Sequence, residues 1–328
     1  MENLLNSGMP IILAFQNIGE WLLAPMEFFT FLGTEEFYFL SLPIIYWGFD
    51  AALGLRLAVM LTLTSGINTI FKFIFHSPRP YWVNTDVKAL SAETSFGLPS
   101  GHAQNSVTMW GVLGSYLRKA WVWVLVIFFI LGISLSRLYL AVHFPLDTLI
   151  GWLIGIILLV SFNYAWEPIA KWAKALRLST QILAAFLASV LLLLVGAGVA
   201  AALKDWTMPV AWMQNAARAG GEAPHPFSLS GLITSSATLF GLLSGTAWIQ
   251  QWGGYQVADQ IQKRILHYIV GVLGVSIFYI GLKLIFPSGD TLVAYIFRYI
   301  RYALVGFWVT GGAPFIFLKL NLANPPKR

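Results

Sequence analysis

Residues 121–140 read WVWVLVIFFILGISLSRLYL, and the first sixteen of these residues carry no charge. A helix needs about 20 mostly apolar residues to cross roughly 30 Å of hydrocarbon. This stretch therefore predicts a transmembrane helix that ends in the polar pair Ser136 and Arg137. An arginine at the end of such a helix lies near the depth at which ionisable groups in membrane proteins are usually functional.

The same criterion, applied along the chain, finds further spans on both sides of this helix. Two long connections, 76–99 and 204–228, separate some of them. The sequence thus predicts an all-α integral membrane protein, a polytopic bundle of about nine transmembrane helices. The nine expected spans are 35–49, 52–75, 101–117, 121–140, 146–166, 180–203, 229–250, 267–286 and 302–319.

Composition supports this class and excludes others. Of the 328 residues, 58% are hydrophobic and only 10% are charged, which is far below the charge content of soluble domains. The formal charge of +6 does not indicate nucleic-acid binding, because the Lys and Arg residues are scattered singly or in pairs between apolar runs. The chain has no cysteine, so disulfides and thiolate metal sites are excluded.

The N-terminal region is less apolar than the spans that follow. Residues 1–33 mix Ile, Leu, Phe and Trp with acidic and amide side chains, so we expect an amphipathic segment that lies in the membrane interface, with spanning or re-entry as the alternatives. Arg56 is the first basic residue, and we therefore expect no secretory leader.

Lys and Arg residues are unevenly distributed between the two sides of the membrane. If the nine spans alternate, ten of these residues fall on one side, and the N-terminus on the other side has none before the first span. The positive-inside rule places the cation-rich side in the cytoplasm, although Lys283, Arg298 and Arg301 oppose it. The ten are Arg118, Lys119, Lys171, Lys174, Arg177, Lys263, Arg264, Lys319, Lys327 and Arg328.

Three unusual polar clusters are predicted to lie together on the extracytoplasmic side. KFIFHSPRP (72–80) closes the second span, PSGH (99–102) opens the third, and SRLYLAVHFPLD (136–147) joins the fourth to the fifth. Apart from His76, to which no role is assigned, they supply three cations, two imidazoles and one carboxylate, a set that suits a phosphoryl group.

Each cation has a distinct expected role toward phosphate. Arg79 and Arg137 carry planar guanidinium groups that clamp phosphate oxygens, and Lys72 adds a point charge. Ser100 and Gly101 lie where a helix is predicted to begin, so unpaired backbone N–H groups would face an anion.

The two histidines have different expected roles. His102 follows the predicted helix start and would act as an acid toward the bound phosphate. His143 and Asp147 are four residues apart, so the carboxylate can hold one imidazole nitrogen as N–H and leave the other free to attack phosphorus.

These residues resemble the type 2 phosphatidic acid phosphatases, a superfamily that includes lipid phosphate phosphatases, undecaprenyl diphosphate phosphatases, glucose-6-phosphatase and vanadium haloperoxidases. Its three signatures are Lys, six residues, Arg-Pro; then Pro-Ser-Gly-His; then Ser-Arg, five residues, His, three residues, Asp. The chain has all three in this order.

The resemblance implies roles for the matching positions. His143 would be the nucleophile of a phosphohistidine intermediate, Asp147 its partner and His102 the acid for the leaving oxygen. The phosphate ligands would be Lys72, Arg79, Ser100, Gly101 and Arg137, with no metal and no cofactor. We expect residues 34–168 to form the phosphatase core and residues 169–328 to form a transmembrane extension of unassigned role.

The substrate is less closely defined. Nine spans and the RPYW run (79–82) resemble glucose-6-phosphatase and the sphingosine-phosphate phosphatases. Asp147 favours the lipid-type members, since glucose-6-phosphatases lack an aspartate there. We expect a membrane phosphatase acting on an isoprenoid or glycerolipid phosphate at the extracytoplasmic face of a bacterial inner membrane. The alternatives are a sugar phosphatase, a lipid phosphotransferase and, from another class, a non-catalytic lipid-binding or transport protein.

Overall fold

The computed structural model of the protein describes residues 2–323, and every regular element in that range is a helix. Short 3₁₀ or π turns lie at Glu20–Leu22, Ile45–Phe49, Ile277–Gly281 and Trp308–Gly312. The α-helices are α1 (Glu2–Gln16), α2 (Leu23–Phe31), α3 (Glu35–Ile44), α4 (Ala51–Phe75), α5 (Pro80–Val83), α6 (Gly101–Leu117), α7 (Ala120–Tyr139), α8 (Pro145–Ala175), α9 (Leu178–Ala202), α10 (Val210–Arg218), α11 (Ser230–Gln250), α12 (Ile261–Ser276), α13 (Leu282–Ile285), α14 (Leu292–Phe307) and α15 (Ala313–Lys319).

Seven helical segments of the described chain are long and apolar enough to cross a membrane, and a bent pair makes a possible eighth. Helix α6, expected as a further span, has 17 residues, which is at the lower limit of the length that can cross a bilayer. The prediction of an all-helical integral membrane protein is confirmed, with seven or eight longer apolar segments where about nine spans were expected. The seven are Ala51–Val83, Ala120–Tyr139, Pro145–Ala175, Leu178–Ala202, Ser230–Gln250, Ile261–Ile285 and Leu292–Lys319.

The N-terminal region contributes to the bent pair. Glu20–Phe31 and Glu35–Phe49 meet at an angle of 51°, as a broken span or a re-entrant loop. The break contains Gly33, which is buried. Pro43 lies inside α3 and has no N–H to donate, and the helix widens into the π turn just after it.

The chain folds into two compact units, each assembled from separate stretches of sequence. The first contains Met1–Tyr38, Ile67–Ser161 and Gly196–Ser228, and the second contains Phe39–Gly66, Phe162–Val195 and Leu229–Arg328. All three polar clusters lie in the first unit.

The connection 204–228 packs over the connection 76–99 within the first unit, and part of it forms α10 rather than a loop. The Asn215 side chain donates to the Trp82 carbonyl at 3.0 Å, and the His225 N–H donates to the Thr94 carbonyl at 2.9 Å. Aromatic rings fill the space between the connections, with Phe96 in edge contact with its neighbours. This layer fixes the loop that carries the first cluster.

In the second unit, α11 and α14 approach closely through glycines. A Cβ added at Gly241 would lie 2.1 Å from the Ala303 carbonyl oxygen, and one added at Gly306 would lie 2.6 Å from the Thr238 carbonyl oxygen. Small residues that let backbones meet are typical of helix pairs in membranes.

Candidate active site

The structure brings the three polar clusters into direct contact. Arg79 Nη1 lies 3.4 Å from His143 Nε2, which joins the first cluster to the third. The Ser100 N–H donates to the Asp147 carbonyl oxygen at 2.9 Å, which joins the second cluster to the third. Residues that are far apart in sequence thus form one buried polar site.

Prolines end or begin the helices that carry these residues. Helix α4 stops at Phe75, shortly before Pro78, and Arg79 adopts an extended backbone ahead of Pro80. Helix α8 begins at Pro145, where a missing N–H costs no helical hydrogen bond. The functional side chains therefore lie at helix ends.

Arg79 is fully buried, and its guanidinium is held by three backbone oxygens as well as by side chains. Its Nε donates to the Ser95 carbonyl at 2.7 Å, Nη1 donates to the Val142 carbonyl at 2.9 Å, and Nη2 donates to the Phe96 carbonyl at 3.2 Å. A guanidinium with this many fixed bonds cannot turn away, so it presents a pre-oriented positive charge beside His143.

His143 and Asp147 form a buried pair. His143 Nδ1 donates to Asp147 Oδ2 at 3.2 Å, and the same oxygen accepts the Phe144 N–H at 2.9 Å. We assign the proton to Nδ1 because its neighbour is a carboxylate acceptor. Nε2 then carries the lone pair and faces Arg79, as expected for a nucleophile.

Helix α6 begins as predicted, at Gly101, with Ser100 as its N-cap. The Ser100 hydroxyl accepts the Ala103 N–H at 3.4 Å. A Cβ at Gly101 would lie 3.1 Å from Asn68 Oδ1, so the helix start has little room for a larger residue. The remaining first-turn N–H groups are available to an anion.

Three further predicted residues complete the site. Lys72 donates to the Ser95 hydroxyl at 2.7 Å. Arg137 Nε and His102 Nε2 are both buried and have no hydrogen-bond partner in residues 2–323. Both atoms lie beside the other predicted phosphate ligands, where a bound anion could supply the missing partner. All eight predicted site residues lie in this region of the first unit.

Sequence reasoning missed the residue that joins the two arginines. The Glu93 carboxylate forms salt bridges with Arg79 Nη2, at 3.4 Å, and with Arg137 Nη2. The Glu93 side chain is 25% exposed, whereas the arginine side chains are almost fully buried. A single glutamate in a loop belongs to no sequence motif. The only signal that identifies it as a site residue is its position in space between Arg79 and Arg137.

The bend between α2 and α3 also lines the site, which the sequence did not predict. The Thr30 hydroxyl accepts a hydrogen bond from Arg137 Nη1. A Cβ added at Gly33 would lie 2.9 Å from His102 Cδ2, so this backbone rests directly on the imidazole. The N-terminal region therefore helps to position both Arg137 and His102.

Burial and neighbouring charges shift the ionisation of two loop residues. Burial alone would raise the pKa of Glu93, but the nearby Arg79, Arg137 and Lys72 outweigh it and hold the pKa well below its ordinary value. Burial lowers the pKa of His143 well below 6.5, and the same three cations lower it further. Glu93 is therefore an anion at neutral pH, and His143 is a neutral imidazole.

Comparisons with known proteins agree with this geometry. The model of the PAP2 superfamily matches residues 53–171, and the model described as PAP2 superfamily phosphatase, transmembrane extension, matches residues 233–325. The second match supplies a family assignment for most of the C-terminal region, which the sequence motifs alone did not identify. No solved structure matches the chain.

The chain is similar to several curated phosphatases. It is 31% identical to glucose-6-phosphatase 3 of Rattus norvegicus over 48% of this chain and 53% of that protein. It is 30% identical to a probable sphingosine-1-phosphate phosphatase of Dictyostelium discoideum over 40% and 36% of the two chains. It is 31% identical to an undecaprenyl-diphosphatase of Sulfolobus acidocaldarius over 31% and 50%. The chain spans about half the length of the first curated relatives it matches. On the two family matches, the chain belongs to the PAP2 superfamily.

Proposed function

We propose that this protein is a membrane phosphatase that cleaves phosphate esters through a phosphohistidine intermediate. The observation that carries the proposal is the orientation of His143, whose Nδ1 is held by Asp147 while Nε2 faces the Arg79 guanidinium. A phosphoryl group bound beside Arg79 would lie next to the free lone pair of His143.

The reaction takes two steps. First, His143 Nε2 attacks phosphorus and the bond to the leaving oxygen breaks, with His102 giving a proton to that oxygen. A water molecule then attacks phosphorus and gives a proton to His102, and the phosphorus–nitrogen bond breaks, which releases inorganic phosphate and restores neutral His143. Lys72, Arg79 and Arg137, with the α6 N-terminus, stabilise the charge on the transferring group, so the proposed reaction needs no metal.

The proposed substrate is a lipid phosphate, either an isoprenoid or a glycerolipid phosphate. Two features support a substrate that enters from the bilayer. The protein is an integral membrane protein, and relatives named for sphingosine 1-phosphate and undecaprenyl diphosphate are similar to part of this chain.

A sugar phosphate is the second candidate, and one observation favours it. Glu93 lies beside the phosphate-binding cations and is 25% exposed, so its carboxylate can accept hydrogen bonds from hydroxyl groups of a leaving group. The similarity to glucose-6-phosphatase 3 supports the same candidate.

We further propose that the site faces the extracytoplasmic side, as the distribution of cations suggests. Two of the ten cations, Lys327 and Arg328, lie outside the described residues. Reporters fused to the C-terminus should indicate a cytoplasmic location. A periplasmic or lumenal signal would show that the orientation is the opposite of the one proposed. The bacterial inner membrane stays a prediction, and the eukaryotic relatives show that related proteins also occur elsewhere.

The division into a core at 34–168 and an extension at 169–328, preceded by 1–33, also stays a proposal. The PAP2 match at residues 53–171 and the extension match at residues 233–325 support it.

Release of inorganic phosphate by the purified protein in detergent tests the function. The panel contains undecaprenyl diphosphate, phosphatidic acid, phosphatidylglycerol phosphate, sphingosine phosphate and glucose 6-phosphate. We expect turnover of lipid phosphates to exceed that of glucose 6-phosphate, to survive EDTA and to be blocked by orthovanadate. The reverse substrate order would select the second candidate, and dependence on added magnesium would contradict the mechanism.

A further inference from the structure

Helix α14 carries two arginines inside a membrane-spanning segment of the second unit. Arg298 and Arg301 are three residues apart, so they lie on neighbouring positions of one helix face. They lie about 9 and 14 Å along the axis from the first residue of α14, at 1.5 Å per residue. Cations at membrane depth are costly and are seldom retained without a partner.

Arg301 is only 9% exposed, yet its charge is not paired. In the part of the chain that the structure describes, its guanidinium makes no salt bridge and no hydrogen bond, and Nε is buried without a partner. Its contacts are with aromatic rings: the guanidinium carbon lies 5.0 Å from the centre of the Tyr302 ring and 5.8 Å from that of Tyr279. These rings contact the guanidinium and leave its in-plane donors unsatisfied.

Arg298 approaches the same cluster. Its guanidinium carbon lies 6.0 Å from the Tyr302 ring centre, and Nη1 donates to the Thr234 hydroxyl at 3.3 Å. The two arginines therefore share one tyrosine ring, and residues 2–323 place no carboxylate within salt-bridge distance of either. Two like charges at one ring repel each other, and an anion beside them would offset this repulsion.

We propose that Arg298 and Arg301, together with Tyr279, Tyr302 and Thr234, form an anion site that binds a phosphate group. Guanidinium donors match phosphate oxygens in geometry and charge, and the tyrosine and threonine hydroxyls can donate further bonds. The phosphate belongs either to the headgroup of an anionic lipid or to free inorganic phosphate. The proposal assigns binding to these five residues and no catalytic step.

An arginine that simply extends toward the membrane surface would look different. Such a side chain keeps its guanidinium in water and buries only its methylene stem. Arg301 instead is buried as a whole residue, and its guanidinium lies against two tyrosine rings.

The test compares the wild-type protein with Arg301→Gln and Arg301→Lys, each as the full chain in detergent. Lys283→Gln is the matched control, since it removes one charge from an exposed side chain of the same unit. Binding of two probes that the proposed phosphatase does not turn over is measured for each variant against the wild type: phosphatidylglycerol by native mass spectrometry, and inorganic phosphate by the shift in Tm. The readout is independent of catalysis, so it stands even if the proposed phosphatase activity fails.

Arg301→Gln should weaken binding of one probe by at least about tenfold, the loss expected for charge-assisted hydrogen bonds. A loss confined to phosphatidylglycerol identifies a lipid headgroup, and a loss confined to inorganic phosphate identifies the free ion. Arg301→Lys should lose part of the affinity and provides a folded variant if the glutamine form is unstable. Hydrolysis of para-nitrophenyl phosphate should stay near the wild-type rate. Equal binding of both probes by wild type and both variants would overturn the proposal.

Discussion

Glu93 and Arg137 form a salt bridge in the candidate active site, and Glu93 also bridges to Arg79. Two cations that are assigned to phosphate thus already hold an anion of the protein itself. A phosphate group must displace this carboxylate or share the arginines with it. Glu93 therefore stabilises the empty site and competes with the ligand.

Replacement of Glu93 with Gln should separate these two effects. The variant should unfold at a lower temperature without ligand, because two buried arginines lose their carboxylate. Orthovanadate should bind it more tightly, by about tenfold, since no anion has to leave. Thermal unfolding with and without orthovanadate measures both effects. Asp86→Asn, which changes an exposed acid of the same unit, should leave both unchanged. Weaker orthovanadate binding by Glu93→Gln would show that Glu93 assists phosphate instead.

The two histidines should differ in the damage that their loss causes. His143→Ala should abolish turnover and the acid-labile phosphoenzyme, because the covalent route is gone. His102→Ala should slow the reaction by about 10²- to 10⁴-fold, the usual contribution of a general acid. The loss at His102 should be smaller for para-nitrophenyl phosphate, whose leaving group needs little protonation. His225→Ala, at an exposed position, is the control. A phosphoenzyme at wild-type level in His143→Ala would mean that another residue attacks phosphorus.

Asp147→Asn should weaken the nucleophile without removing the phosphate site. The amide cannot stabilise an imidazolium as a carboxylate does, so we expect turnover to fall by roughly 10²- to 10⁴-fold. Orthovanadate affinity should change much less, since within residues 2–323 the Asp147 carboxylate forms no hydrogen bond or salt bridge with the three cations and instead holds His143 and the Phe144 N–H. Turnover kinetics and inhibition by orthovanadate are measured on the same preparation. Equal losses in both would assign Asp147 to the overall structure of the site.

Gly33→Ala should displace the His102 imidazole, although the two residues are far apart in sequence. The added Cβ would lie 2.9 Å from His102 Cδ2 and from Ile133 Cγ2, closer than side-chain carbons normally approach. We expect turnover to fall by about tenfold or more, with the larger effect on substrates that have poor leaving groups. Gly48→Ala is the control, because a Cβ there would contact nothing within 4 Å. Wild-type kinetics for Gly33→Ala would show that the bend can move away from the imidazole.

The reaction should remain active below the pH at which an ordinary imidazole becomes protonated. The pKa of His143 is lowered by burial and then by Arg79, Arg137 and Lys72, so its nucleophilic neutral form persists below about pH 6.5. Formation of the phosphoenzyme in a single turnover, measured between about pH 5 and 8, should not halve near pH 6.5 through this group. The substrate's own titration is followed by phosphorus NMR and corrected for.

The same shift has a consequence for stability. Below about pH 6.5 the unfolded chain binds a proton at His143 that the folded protein does not, so the free energy of unfolding falls as the pH is lowered. His143→Gln should reduce this pH dependence. If the single-turnover rate falls near pH 6.5 in the wild type and in every variant that keeps His143, then His143 has an ordinary pKa and the prediction is wrong.

Local patterns were enough to predict the fold class and to select the polar residues that the structure brings together. An apolar run such as 121–140 must become a helix in a bilayer, because lipid offers no partner for free backbone groups. Pro78, Pro99 and Pro145 end or begin helices by rules that act within a few residues, and the structure follows them. The predicted site residues follow from side-chain chemistry at short spacings, as for His143 and Asp147.

The count of spans was less well predicted, since the apolar content of a run does not determine its final length. Helix α6 stops after 17 residues, at Arg118 in a left-handed backbone conformation, and Glu20–Phe31 with Glu35–Phe49 forms one bent pair. Helix breaks of this kind depend on what each segment packs against.

The sequence by itself thus determined a helical membrane protein and a set of cations, imidazoles and a carboxylate whose chemistry suits a phosphoryl group. Only the tertiary structure decided which other groups touch that set. Glu93 reaches Arg137 across 44 residues, and Thr30 reaches it across 107. Gly33 meets His102, and Arg301 lies between Tyr279 and Tyr302. Such contacts carry no local signature, because each depends on how separate helices pack, and a single Glu, Thr or Gly looks the same in sequence wherever it lies.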